Sequence, residues 1–559
     1  MMQSAKTELS ARRTPPLKPF LTGTAAGVVA LLFNLFLRVG SIAPYPPESA
    51  IESFLKLVPA SIEEPAVQRL GDLAGQLGLV AASIVAVVIY GILGVIFERE
   101  VSQRLSSLTR FEKALSYSLV PWILFGAVLM PIFGVSLFGT LSVFADSNSP
   151  WLFPLSLLFV QLVYTSAFYY ISGKKGEERR RISKSEIRTT HSSVSSARGL
   201  SRRSFVEKGV LGAGILVLSL GSIDRILATL SPSPISGPPN SPIALKDAPA
   251  IFEDPRLAPL VDDEVTPNNS FYRVAIDLFD PSVDASTWTL SVSGLVGSQK
   301  SYTLSSLRER FQPVDQYNTF ECVSNLVNGN LIGNAKWSGV RFSDLLKDAG
   351  GASSSSAQYM VFYSVDGYSV GIPLSRALMP DSMLAYAMND QPLPQKHGYP
   401  LRAVIPGLYG MMSAKWITRI ELVDSPYSGF WQTRGWSSTA QVQTLAFIMI
   451  PQDGGIVSLK QYNGSVVLGG VAYAGDRGIS KVEISTDQGK TWQEAQLKPA
   501  ISNLTWRLWA YDWHPPATGL YFIYARATDG TGSLQTDQDT GTFPNGATGY
   551  AITSVNVNT

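Results

Sequence analysis

The chain has 559 residues, 45% of them hydrophobic and 16% charged, with 45 Lys and Arg against 43 Asp and Glu. Its mean hydropathy of +0.12 excludes a disordered polyelectrolyte and argues against a wholly soluble chain, and a net charge of +2 gives no ground for nucleic-acid binding. The one cysteine, Cys322, excludes an internal disulfide, a cysteine-built zinc site, an iron–sulfur cluster and a C-x-x-C-H haem attachment, and the three histidines (His191, His397 and His514) leave no histidine-rich metal site.

Apolar stretches concentrate in the first 230 residues. Pro19–Leu37, Leu73–Phe97 and Trp151–Ile171 carry no charge, and about 20 such residues span a bilayer. Ala114–Ala145 is also uncharged but contains Pro121 and Pro131, so it reads as one kinked helix or as a helix plus a re-entrant segment. Gly209–Leu230 is a fifth, weaker span carrying Asp224 and Arg225. None of the first four holds a His, Asp, Glu, Lys or Arg, which argues against a bis-histidine haem or a proton relay and favours anchoring.

Loop charges orient the spans, because positive loops stay cytoplasmic. The N-terminal tail carries Lys6, Arg12, Arg13 and Lys18 against Glu8, whereas loop 41–72 has two basic residues against five acids. Loop 98–113 is basic again, 136–149 has no Lys or Arg, and 172–208 has eleven Lys and Arg against four Glu. The expected topology therefore puts the N-terminus inside and residues 231–559 on the extracytoplasmic side of the cell membrane. Ser201-Arg202-Arg203-Ser204-Phe205-Val206-Glu207-Lys208, just ahead of the fifth span, resembles a twin-arginine export signal. Such signals carry folded cargo, chiefly proteins loaded with a cofactor before export. No Ala-x-Ala site follows Leu230, so the expectation is a retained signal anchor.

Beyond a Pro- and Ser-rich spacer at 231–242 the composition becomes that of a soluble domain. Alternation predicts strands at Thr287–Val292 and Tyr359–Tyr363, and a short helix at Arg341–Ala349. From about residue 440, strands are expected at Gly464–Val471, Lys481–Thr486, Trp506–Trp513 and Leu520–Ala527, a spacing that suggests an immunoglobulin-like sandwich without its disulfide. The expected order is thus an all-α transmembrane bundle (1–200, with a basic cytoplasmic loop), a signal anchor (201–230), a linker (231–250), an α+β catalytic domain (251–435) and an all-β sandwich (436–559).

A lone Cys is most often a small buried hydrophobe. Here the surroundings shift that reading: Phe320-Glu321-Cys322-Val323-Ser324-Asn325 runs into Asn328-Gly329-Asn330-Leu331-Ile332-Gly333-Asn334, and backbone rich in Gly and Asn can approach a ligand closely. One soft thiolate cannot hold a metal alone, so a metallated Cys322 requires a cofactor that supplies further ligands. Arg402 suits a phosphate by its planar fork and Lys415 as a point charge. His397, beside Gly398, lies in a turn. Trp337, Trp416 and Trp492 are assigned to packing.

Three blocks in order carry a resemblance over residues 260–559. They are Asn268-Asn269-Ser270-Phe271-Tyr272-Arg273 with the Cys322 block, then His397–Gly410 continuing to Ile420, then Gly475–Trp492. Together they resemble the sulfite oxidase family of molybdopterin oxidoreductases. The resemblance implies molybdenum with a pyranopterin (molybdopterin) and Cys322 as the metal's thiolate. It implies cofactor contacts from Asn269 (or its neighbour Asn268), Tyr272, Arg273, Ser364, His397, Arg402, Ser413 and Lys415, the last two flanking Ala414. Arg273 is also the expected substrate-facing cation. Where the animal and plant enzymes have Cys-Ala-Gly-Asn, this chain has Cys322-Val323-Ser324-Asn325, which leaves the substrate open. The implied activity is oxygen-atom transfer on a small sulfur oxo substrate, sulfite-oxidase-like, with sulfoxide or N-oxide reduction and a non-catalytic membrane-tethered binding module as alternatives. The implied partners are an external electron carrier (a c-type cytochrome or a membrane electron protein), membrane lipid, and a second copy through the C-terminal domain.

Overall fold

The computed structural model describes residues 17–39, 47, 72–98, 112, 117–119, 122–123, 158–171, 247–276, 280–460 and 464–559. The loop charges, the Ala114–Ala145 kink, the twin-arginine-like run, the fifth span and the Pro-rich spacer fall outside these residues. The chain divides into two units, one helical and one, from Pro234 onward, carrying the sheets.

Helices Leu17–Val39 and Asp72–Ile96 cover the first two long uncharged apolar runs of the sequence. Within them Leu17–Phe36 and Leu77–Ile96 are long and apolar enough to cross a membrane, and a shorter apolar helix covers Leu158–Ile171. The first two helices approach closely at glycines. A Cβ on Gly23 would lie 2.5 Å from the Tyr90 carbonyl oxygen, and one on Gly94 would lie 2.8 Å from Gly23 Cα. Tyr164 donates to the same Tyr90 carbonyl at 2.8 Å, a side-chain bond of the kind that ties helices together where water is scarce. The outward side chains of this unit are apolar and exposed, among them Phe36, Val85, Ile89 and Ile92.

Ten strands run through residues 290–423: β1 (Leu290–Gly294), β2 (Lys300–Tyr302), β3 (Val314–Glu321), β4 (Ile332–Arg341), β5 (Tyr359–Ser364), β6 (Ser369–Pro373), β7 (Met383–Met388), β8 (Gln391–Pro392), β9 (Arg402–Val404) and β10 (Ile417–Val423). They make two sheets. One has the order β2-β1-β10-β5-β6, with β1 and β10 parallel; the other has the order β3-β4-β7-β8, with β9 paired to β7. The expected helix is present as Phe342–Asp348. The strand expected from Thr287 starts only at Leu290 because Asp284 captures the preceding turn, its carboxylate accepting from Ser286 N and its carbonyl from Trp288 N.

Nine further strands follow: β11 (Leu445–Ile450), β12 (Gly455–Ser458), β13 (Val466–Tyr473), β14 (Ile479–Ser485), β15 (Gln493–Glu494), β16 (Gln496–Leu497), β17 (Arg507–Trp513), β18 (Gly519–Asp529) and β19 (Ala551–Asn558). They form two sheets, β11-β13-β17-β16 and β12-β19-β18-β14-β15, which share one apolar core. Every residue of β13 is buried, and the two-residue period of a strand explains how. Val466, Leu468 and Ala472 enter the core between these sheets, while Val467, Val471 and Tyr473 join the core of the preceding domain. The run is continuously apolar because both of its faces are covered.

Polar bonds cross the same boundary. Lys498 and Glu264 form a buried ion pair at 2.8 Å, Trp506 Nε1 donates to the Glu264 carbonyl at 3.0 Å, and Tyr473 Oη donates to the Thr319 carbonyl at 2.7 Å. Arg376 reaches Asp476 at 2.8 Å. The strand that leads into Cys322, β3, is thus braced by the C-terminal domain.

Candidate active site

Four separate segments meet at one cavity that is partly open to solvent. The end of β3 delivers Cys322, β9 delivers Arg402, the segment leading into β10 delivers Lys415, and the loop before β1 delivers Tyr272; His397 and Ser413 also line it. Pairing of Ala385 with Arg402 places the guanidinium beside the second sheet. There it is buried, stacked 4.6 Å from the Phe320 ring centroid and 4.8 Å from that of Trp337. Its nitrogens donate to the carbonyls of His397 (3.0 Å) and Ser413 (3.4 Å), which fix the fork. Burial lowers its pKa to about 10, with Tyr272 opposing.

Lys415 lies over the Trp416 ring, 4.1 Å from its centroid. Burial lowers its pKa to about 7, opposed by Asp280 and reinforced by Arg402 and Arg273. Trp416 adopts φ +49, an uncommon value for a bulky residue, and is held by donation from its ring nitrogen to the Gln395 carbonyl at 2.8 Å. His397 ends a short 3-10 turn closed by Gly398 at φ +113. Its Nε2 lies 2.9 Å from the Asn268 carbonyl; a carbonyl only accepts, so Nε2 carries the proton and Nδ1 is left as an acceptor. Burial first, then the neighbouring Lys396, Arg402 and Lys415, lower its pKa to about 3, so the ring is neutral.

Cys322 is buried, with Sγ 3.0 Å from Ser324 Oγ. Burial pushes its thiol up, opposed by Ser324. Next to it, burial raises the Glu321 carboxyl to about 8; one oxygen accepts from Asn325 at 3.0 Å and the other is buried without a partner. The hydroxyl of Ser364, also buried, has no partner either.

Of the expected site residues, Tyr272, Cys322, His397, Arg402, Ser413 and Lys415 share the cavity, as does Ala414. Asn269, Arg273 and Ser364 do not line it. Asn269 is exposed, and Asn268 carries the bond to His397. Arg273 turns to Asp280, its Nε 3.0 Å from the carboxylate. The Gly- and Asn-rich run after Cys322 does not line the cavity beyond Ser324. Asn325 bonds Glu321 and Leu331 N, and Asn328 bonds Ile448 N and Ile552 O of the C-terminal sheets. Those amides hold structure instead of facing a ligand. The packing role expected of Trp337 matches its full burial, whereas Trp416 also faces the cavity.

Four lining residues carried no sequence signal: Asp366 and Tyr368 from the β5–β6 turn, and Trp431 and Trp436 from the loop after β10. Burial raises Asp366 to about 6, opposed by the Tyr368 N–H and by Lys415. Tyr368 Oη donates to the Met411 carbonyl at 2.5 Å. An Asp-Gly turn between two strands was the only cue available, and it is common to many hairpins.

The family model of an oxidoreductase molybdopterin binding domain matches residues 278–431, and that of a Mo-co oxidoreductase dimerisation domain matches 437–541. The mitochondrial sulfite oxidase of Rattus norvegicus is 31% identical over 324 residues, covering 50% of this chain and 58% of that protein. The chain therefore spans little more than half the length of such animal relatives. The sulfite oxidase of Arabidopsis thaliana is 30% identical over 312 residues, covering 46% of this chain and 77% of that protein. An uncharacterized oxidoreductase of Bacillus subtilis (strain 168), YuiH, is 33% identical over 153 residues, 27% of this chain and 74% of its own length. Among solved structures, the sulfane dehydrogenase SoxCD of Paracoccus pantotrophus aligns with a TM-score of 0.45 at 23% identity, covering 52% of this chain and 80% of that one.

Proposed function

This chain belongs to the sulfite oxidase family of molybdopterin oxidoreductases, and from that premise we propose that it is a membrane-anchored enzyme transferring an oxygen atom to or from a small sulfur oxo compound. The observation that carries the reading is the convergence of one thiol, the buried Arg402, the half-buried Lys415 and a neutral imidazole on a single cavity. Among the described residues no group of three or more His, Cys, Asp or Glu could hold a metal, so a metal at Cys322 depends on ligands from a bound organic group. The cavity suits such a group. Arg402 and Lys415 would supply positive charge for a phosphate, Ser413 and His397 offer polar contacts, and the protein's donor to the metal would be Cys322, a soft thiolate. Molybdenum with its pyranopterin supplies two-electron oxygen-atom chemistry when bound there.

The protein's own residues make the rest of the site. Burial disfavours a free Cys322 thiolate, so Cys322 would hold the metal as a thiolate only with the metal bound there. Tyr272 keeps its proton because burial raises its pKa far above the ordinary phenol value, and it is a hydrogen-bond donor at neutral pH. His397 accepts through Nδ1. The rigid stack of Arg402 on Phe320 and Trp337 holds the cation where a phosphate would otherwise be solvated.

The exposed apolar faces of helices Leu17–Val39 and Asp72–Ile96 support membrane anchoring, and the basic loops of the sequence support an extracytoplasmic catalytic domain. The two-sheet C-terminal core supports the immunoglobulin-like reading. The dimerisation-domain match at 437–541 supports pairing of two copies, and an external one-electron carrier exchanges electrons with the site.

Metal and pterin analysis of the purified full chain tests the proposal. The expected result is about one molybdenum and one pterin per chain, with metal and activity both lost in Cys322→Ser because a hydroxyl lacks the charge and softness of a thiolate. Metal-free protein from a host that makes the cofactor would refute it.

A further inference from the structure

We propose that Asn328 is a positioning residue for Cys322: its side-chain amide ties the tip of the loop that begins at Cys322 to the free edges of β11 and β19, so that the C-terminal domain fixes where the thiol stands. In its consequence for the metal the inference rests on the functional reading above; the holding of the loop does not.

β3 and β4 are antiparallel neighbours, paired as far as Glu321 with Ile332, and residues 322–331 connect them. Most hairpin loops have about two to five residues, so a longer one needs contacts of its own to keep a single shape. At the base of this loop Cys322 N donates to the Leu331 carbonyl at 2.9 Å. The buried Asn325 adds a second tie, donating to the Glu321 carboxyl at 3.0 Å and accepting from Leu331 N at 2.9 Å. A Cβ on Gly329 would collide with Asn325 Oδ1, so the loop folds back tightly on that side chain.

At its tip Asn328 adopts φ +61, a left-handed value that asparagine tolerates better than most residues. The side chain is exposed, yet its amide is used at both ends: Oδ1 accepts from Ile448 N at 2.8 Å and Nδ2 donates to the Ile552 carbonyl at 2.9 Å. Ile448 lies in β11, the edge strand of one C-terminal sheet. Ile552 lies in β19 of the other sheet, ahead of the part that pairs with β12. One amide thus takes the place of a peptide group from a neighbouring strand and closes the seam between the two sheets. Val327 packs against the cores on both sides of the domain boundary.

The C-terminal domain also grips the chain ahead of Cys322. Thr319 N donates to the Leu504 carbonyl at 3.0 Å, Thr319 Oγ1 accepts from Trp506 N at 2.9 Å, and the Thr319 carbonyl accepts from Tyr473 at 2.7 Å. Closing a sandwich seam by itself requires no link to a thiol. Here the residue that closes it belongs to the loop whose base carries the thiol, and a metal donor has to be held to within about 0.5 Å of its place to bind well.

The test compares three single variants of the full chain in detergent. Asn328→Gly removes both amide bonds and keeps a residue that accepts the left-handed backbone. Asn328→Asp keeps the acceptor for Ile448 N and loses the donor to Ile552. Asp487→Ala removes the carboxylate that accepts from Lys490 N and Thr491 N between β14 and β15, at the far edge of the sheet from β12 and β19, a comparable loss in the same domain. Hydrogen exchange at the amides of Cys322 and Leu331, read by mass spectrometry, should speed up about tenfold in Asn328→Gly, less in Asn328→Asp, and stay unchanged in Asp487→Ala. Molybdenum content of chains from a host that makes the cofactor should fall in the same order, to roughly half or less in Asn328→Gly. Exchange unchanged in Asn328→Gly, or raised equally in Asp487→Ala, would overturn the proposal, as would full molybdenum content alongside a fast-exchanging loop. Absence of molybdenum from the unchanged chain would refute the functional reading, while exchange at 322–331 would still decide whether Asn328 holds the thiol loop.

Discussion

Burial of His397 beside Lys396, Arg402 and Lys415 lowers its pKa to about 3, whereas an unfolded histidine titrates near ~6.5. Below that pH the unfolded chain binds a proton that the folded chain refuses until pH falls to about 3. The neutral ring therefore contributes stability that is fully present above ~6.5 and is lost as pH falls through that window, with a limiting slope of about 1.4 kcal/mol per pH unit. His397→Gln should remove this component. Its apparent denaturation midpoint should drop less between neutral and mildly acidic pH than that of the unchanged protein, and denaturant titration of both at several pH values measures it. Parallel curves would show that the proton is taken up elsewhere. The same burial that makes His397 a reporter of acid also makes Arg402 a strong ligand, because a fixed charge in a poorly solvated site acts more strongly than one in water, whereas it brings Lys415 to about 7, so that its charge is held by an anion bound beside it.

At the scale of elements, the site depends on how closely the turn at 395–398 approaches its neighbours. Gly398 has φ +113, and a Cβ there would sit 3.0 Å from Lys415 Cβ and 3.1 Å from Arg402 Cβ. Gly398→Ala thus meets a conformational and a steric penalty together, of the order of 1–3 kcal/mol, and relief requires both cations to shift. Reduced molybdenum and pterin content in a protein that remains folded, with a lowered Tm, is the expected result. Full cofactor content in that variant would mean the turn tolerates the change and does not set the cation spacing. β13 shows the same dependence on packing from the other direction. Its alternate residues serve two cores, and its Tyr473 bonds Thr319 of the strand that leads into Cys322, so the C-terminal sheets and β3 are one packing problem.

For the whole molecule, the proposed order is a membrane part, an export signal and a catalytic part with a C-terminal sandwich. Changing Arg202 and Arg203 together to Lys preserves charge, so the positive-inside orientation of the earlier helices should persist while recognition of a twin-arginine signal fails. The expected outcome is a catalytic domain retained in the cytoplasm, read by its protection from protease added outside the cell. Normal exposure of the domain in the double variant would reduce the motif to an ordinary basic loop.

The sequence by itself determined what was local or compositional. Cys322 is identified by being the single thiol, the long apolar helices by uncharged runs, and the C-terminal strands by a two-residue period that recurs within one or two residues in β13, β14, β17 and β18. Arg402, Lys415 and His397 were marked through the resemblance carried by the block His397–Ile420, and the structure brings all three to the cavity. Only the tertiary structure decided which side chains face one another. Arg273 was a reasonable substrate cation until the fold set Asp280 3.0 Å away. The Asn-rich run had the composition of a ligand loop until Asn328 was seen bonded to the C-terminal sheets. Asp366, Tyr368, Trp431 and Trp436 had no pattern to mark them, because their convergence comes from the pairing of β5, β6 and β10. Period and composition report the environment of one segment, whereas ion pairing and cavity lining depend on distances between segments far apart in the chain, and those distances exist only after the sheets have formed.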